Sequence, residues 1–88
     1  MTHDEALATI KAAIEEAVPG ADLTAVSPDE PFRERLEMDS LDFLNFLELL
    51  SGRTGLDLPE QDYASFTTLN GCAGYVTART GGTLGASS

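Results

Sequence analysis

Apolar residues recur at helical spacing through most of this chain, separated by polar, turn-rich stretches. Leu7, Ile10, Ile14 and Val18 fall at i, i+3, i+7 and i+11, with alanines widening the stripe. That spacing predicts a helix over residues 4–18, capped by Thr2 or His3 and ended by Pro19-Gly20. Asp4 and Glu5 fall in its first turn, where the helix dipole favours acids. Residues 19–39 hold three prolines and few periodic apolar positions, which marks a long connection. Leu23, Val26, Phe32 and Leu36 are spaced to anchor it in a core, and a turn of helix fits residues 29–35. Residues 36–50, LEMDSLDFLNFLELL, form the densest apolar run. Asp39 is predicted to cap a strong helix reaching about residue 53, with Gly52 and Gly55 marking its end. A short helix is expected over 59–64, opened by Pro59. Thr67 or Thr68 then caps a last helix to about residue 79, with Leu69, Cys72, Ala73 and Val76 at i, i+3, i+4 and i+7. The chain shows no internal repeat, heptad run or convincing strand alternation. The expected fold class is all-α: a small antiparallel bundle of three main helices plus one short helix, in residues 1–80. Residues 81–88, rich in Gly and Ser, are expected to form a disordered tail.

Composition narrows the function classes. Eighty-eight residues make one small domain, and a 42% hydrophobic content is enough for a core. Cys72 is the one cysteine, so an internal disulfide and a cysteine-based zinc site are excluded, and a reducing compartment is the natural setting. The N-terminus has no signal-like pattern, and no window approaches a membrane span, so a cytoplasmic location is expected. The net charge of -10 repels nucleic acid and anionic membranes and attracts basic protein patches.

The candidate chemistry lies in "DSLD", at the start of the apolar run. Leu41, Phe43, Leu44, Phe46, Leu47, Leu49 and Leu50 cover most of this helix, which places it centrally in the core. Asp42, Asn45 and Glu48 form a thin polar stripe at i, i+3 and i+6. Ser40 falls in the first turn, with its side chain directed back toward the loop and outward. Two readings compete. In one, Asp39 is an N-cap, Asp42 completes a variant capping box, and Ser40 is a tolerated neighbour. In the other, Ser40 presents its hydroxyl for covalent loading.

Taken with the chain's size and charge, "DSLD", the preceding loop with "PF…L", "GLDLPEQDY" and a last helix introduced by "TTL" resemble the acyl carrier protein family over about residues 4–80. The resemblance implies an acyl-carrier-like fold and 4′-phosphopantetheine as a covalent cofactor, transferred from coenzyme A onto Ser40, which is flanked by Asp39, Leu41 and Asp42. It implies a non-enzymatic carrier of acyl thioesters for fatty-acid, polyketide or specialised lipid biosynthesis. The implied partners are a phosphopantetheinyl transferase and acyl-loading and acyl-processing enzymes with basic docking patches. Asp39, Asp42, Asn45 and Glu48 are the candidate partner-binding residues, and the carrier is expected to be monomeric. A bulky cargo is pictured among Phe43, Leu47, Leu50, Leu69 and Val76. The alternative is an acidic interaction protein with this fold and no prosthetic group.

Several positions depart from the family pattern. Glu37 and then Met38 follow where a glycine is common two residues before the Asp-Ser pair, and Asn45 replaces a usual glutamate. Ser51, Gly52 and Arg53 replace a commonly acidic run, while Phe43 and Phe46 add bulk. These changes favour a dedicated pathway at least as much as housekeeping fatty-acid synthesis, and "EMDS" argues against a peptidyl carrier.

Other chemistry is poorly supported. His3 is the one histidine, with nothing to fix it beside Ser40 in a catalytic triad. Cys72 fits a small core residue, and the acidic loops lack calcium-site spacing. Gly71 and Gly74 weaken the last helix, which fits either close packing or a pliable wall over cargo.

Overall fold

A computed structural model describes residues 1–80; the expected tail at 81–88 lies outside the described residues. Four α-helices follow in order: α1 (His3–Ala17), α2 (Phe32–Arg35), α3 (Ser40–Thr54) and α4 (Leu69–Arg79). Two 3-10 segments, Leu23–Ala25 and Glu60–Phe66, lie in the long connections. Among the described residues there is no strand, and the all-α bundle stands as the pattern predicts.

Local chemistry sets each helix start. Thr2 caps α1: its hydroxyl accepts from the Glu5 N–H, and the Glu5 carboxylate accepts from the Thr2 N–H. The same reciprocal arrangement opens α3 between Asp39 and Asp42. Thr68, rather than Thr67, caps α4 by accepting from the Gly71 N–H at 2.9 Å. Gly55 ends α3 in the left-handed region, at φ 74°, whereas Gly52 lies within the helix. The segment after Pro59 winds as 3-10 rather than α-helix and extends to Phe66.

α1 packs against both α3 and α4. Its buried face combines Ile10 and Ile14 with Ala6 and Ala13, so the alanines are core residues where backbones approach. Phe32, Phe46, Leu50, Phe66, Leu69, Cys72 and Val76 close the interior. Of the four expected loop anchors, Leu23, Val26 and Phe32 are buried, while Leu36 is half-buried. Phe32 meets Phe46 edge-on at 5.6 Å between centroids, joining the loop to the middle of α3.

Helix direction departs from the antiparallel sense inferred from sequence. His3 and Asn70, at the beginnings of α1 and α4, are hydrogen-bonded at 3.2 Å. Glu16 and Arg53, in the last turns of α1 and α3, form an ion pair. Ends of the same polarity therefore meet, and α1, α3 and α4 run in the same sense. The physical reason lies in the connections. A two-to-five-residue link joins antiparallel neighbours, whereas a parallel neighbour needs a return along the whole helix, here about 22 Å for the 15 residues of α1. The stretches 18–39 and 55–68 supply those returns.

Candidate functional site

Ser40 is the first residue of α3 and is exposed. Asp39, in extended conformation, accepts the Asp42 N–H at 2.8 Å, and its carbonyl accepts the first helical bond from Phe43 at 3.0 Å. The cap explains Asp39 and Asp42 but not the hydroxyl between them. Ser40 keeps its side chain outside the capping box, and Met38 is buried beneath the turn.

One residue missed by sequence reasoning reaches the hydroxyl. Arg33, in α2, donates from Nη2 to Ser40 Oγ at 3.3 Å and from Nε to the Met38 carbonyl at 3.3 Å. Its guanidinium carbon lies 5.0 Å from the Phe43 ring centroid. Glu37 makes this approach possible. At φ 56° it ends α2 in the left-handed region, and the next residue's N–H returns to the Arg33 carbonyl at 2.9 Å. The chain thus turns Ser40 back toward Arg33, and Glu37 stands where the family pattern commonly has glycine.

Beside Ser40 lies a groove of about 470 Å³, with Arg33, Phe43, Leu44, Tyr63 and Phe66 among its walls. Tyr63 stands edge-on to Phe43, their ring centroids 5.9 Å apart. A second groove of about 480 Å³ runs along the other side of Leu44 and Tyr63, where Leu41, Asn45, Glu48 and Leu58 contribute. Leu44 and Tyr63 line both grooves.

The expected partner-facing residues divide. Asp39, Asn45 and Glu48 are exposed, whereas Asp42 is half-buried and engaged in the cap. Leu41 and Leu44, counted from sequence among the apolar positions of a helix central to the core, are 76% and 45% exposed. They add an apolar strip to the acidic edge. Of the pictured cargo lining, Leu50, Leu69 and Val76 are buried in the core, while Phe43 and Leu47 reach the grooves.

The remaining candidates fall elsewhere. His3 pairs with Asn70, not with Ser40. Cys72 is buried, and burial pushes its thiol pKa up to about 12. Among the described residues, no cluster of three or more His, Cys, Asp or Glu is placed to hold a metal ion, and no helix is long and apolar enough to cross a membrane.

Comparison with known proteins decides the family. A profile for the phosphopantetheine attachment site matches residues 8–76. The chain belongs to this family. An acyl carrier protein of Rubrobacter xylanophilus is 35% identical over 57 residues, covering 65% of this chain and 70% of the relative. The meromycolate extension acyl carrier protein of Mycobacterium tuberculosis is 28% identical over 76 residues, covering 86% of this chain and 65% of the relative. The protein of that name in Mycolicibacterium smegmatis is 28% identical over 75 residues, covering 85% and 75%. No solved structure gives a significant match. The family's cofactor is phosphopantetheine, and its acyl carrier members are carriers rather than catalysts. The surroundings of Ser40 suit such a group: the hydroxyl is accessible, a cation stands beside it, and an open groove can accept an extended arm.

Proposed function

We propose that this chain is a discrete acyl carrier protein loaded on Ser40. The observation that carries the reading is an exposed hydroxyl at the first position of α3, outside the Asp39–Asp42 cap and beside the groove. When bound, the arm supplies a terminal thiol that holds acyl groups as thioesters. Ser40 itself is not activated: Arg33 donates to Oγ and is no base, so the transferase must remove the proton. Asp39, Asn45 and Glu48, with Leu41 and Leu44, form the docking edge for the transferase and for acyl-processing enzymes. Their charges steer basic patches, while the leucines contribute apolar area.

The mycobacterial relatives are named for meromycolate extension, which supports service in a long-chain or specialised lipid pathway. A cytoplasmic, monomeric carrier without catalysis of its own completes the reading. The test is intact mass after incubation with coenzyme A, Mg²⁺ and a promiscuous phosphopantetheinyl transferase. The expected result is a gain of one phosphopantetheine, absent in Ser40→Ala. An unmodified, folded wild type that gains nothing, with this transferase or one from its source organism, would overturn the reading. An interaction protein without a prosthetic group would then remain, and it would keep its partners after Ser40→Ala.

A further inference from the structure

We propose that Arg33 binds the phosphodiester of the arm and anchors it on the groove side of α3. The inference rests on Ser40 being the loading site. Three contacts hold the guanidinium in place: the Met38 carbonyl, Ser40 Oγ and the face of Phe43. Arg53 and Arg79, by contrast, are each paired with a carboxylate. The contacts of Arg33 among the described residues thus leave its charge without an anionic partner.

Loading changes what Arg33 meets. Ser40 Oγ becomes an ester oxygen, a weaker acceptor, and the two non-bridging phosphate oxygens sit two bonds away. A donor already bonded to Oγ reaches them by a small rotation. Guanidinium–phosphate bonds are charge-assisted and suit the planar fork of arginine. The need is local: Asp39 and Asp42 flank Ser40 on a chain of net charge -10, and Arg33 is the cation in contact with Ser40 Oγ. Direction follows from position. Arg33 lines the groove with Phe43 and Tyr63, whereas Leu41, Asn45 and Glu48 lie on the other groove. The anchored phosphate leaves Leu41, Asn45 and Glu48 open for docking.

The experiment is phosphorus NMR of loaded wild type, Arg33→Ala, Arg33→Lys and Arg35→Ala, each compared with its urea-unfolded form. Arg35→Ala removes the same charge from the same short helix, on a residue that lines a different depression, near Leu36 and Glu37. Loading is confirmed first by mass, so failure of the Ser40 reading appears as absent phosphopantetheine rather than as an unchanged resonance. Backbone amide spectra confirm that each variant folds. The expected result is a wild-type resonance displaced from the unfolded position, collapsing toward it in Arg33→Ala, partly retained in Arg33→Lys and unchanged in Arg35→Ala. Added salt should move the wild-type resonance toward the Arg33→Ala position and leave that variant unmoved. Coincident resonances in wild type and Arg33→Ala would overturn the proposal. So would an equal displacement in Arg35→Ala, which would reduce the effect to overall charge.

Discussion

The backbone carbonyl of Ser65 faces Gly71 so closely that a Cβ on Gly71 would stand 2.7 Å from the oxygen. The 3-10 segment rests on α4 at this point, and backbone cannot yield as a flexible side chain can. Gly71→Ala should destabilise the domain by about 1–3 kcal/mol, the usual cost of overpacking, despite the better helix propensity of alanine. Gly74 has open space around its Cβ position, so Gly74→Ala should stabilise by about 0.5–1 kcal/mol. Urea unfolding of the two variants checks the pair. Equal stabilities would mean that the Ser65–Gly71 approach is not held in solution.

Glu37 occupies a conformation that costs a residue with a Cβ about 1 kcal/mol. Glu37→Gly should therefore raise the unfolding midpoint, offset in part by glycine's greater freedom in the unfolded chain. A loss of stability would show that the glutamate side chain contributes more than its backbone strain costs.

Cys72 should be silent toward thiol reagents in the native protein. A pKa raised from 9.0 to about 12 lowers the thiolate fraction near neutral pH roughly a thousandfold, and burial blocks access. A disulfide reagent should count no reactive thiol in the native unloaded protein, one after loading and two after loading and denaturation. Rapid reaction before loading would contradict the buried placement of Cys72.

Tyr75 ties α4 to the 3-10 segment by donating its hydroxyl to Asp62 at 2.7 Å, while Arg79 covers its ring and pairs with Asp62. Burial first, and then the Asp62 hydrogen bond, raise the phenol pKa. The stabilisation is thus fully present below the unfolded value near 10 and lost as pH rises through the higher folded value. Tyr75→Phe should cost about 1 kcal/mol at neutral pH and should lack this alkaline decline. Denaturant midpoints across alkaline pH would reveal it, and identical profiles for the two proteins would refute the coupling.

Much of the scaffold was legible because its signals are local. The stripe of Ile10 and Ile14, the cap at Asp39, and the choices narrowed to Thr2 or His3, Thr67 or Thr68, and Gly52 or Gly55 each depend on residues within one helical turn. The exposure of Leu41 and Leu44 was not legible, for the opposite reason. An apolar helix surface does not show which side its neighbours leave uncovered, and here those neighbours are a four-residue helix and a 3-10 segment. Arg33 was invisible at Ser40 because its approach depends on the left-handed turn at Glu37, and a glutamate does not announce one. Helix direction was written in the length of the connections, a signal that apolar periodicity does not contain.

That shared direction also shapes how the chain must fold. Helices joined by tight hairpins can zip together in sequence order, but here each return must cross the bundle before its helix can dock. Contacts between α1 and α4 join opposite ends of the described chain, which raises contact order and slows folding relative to an up-and-down bundle of equal size. During synthesis, α1, which carries Ile10 and Ile14, remains without its full covering until α4 has emerged. The newborn domain is therefore most vulnerable to aggregation and proteolysis just before its last helix arrives.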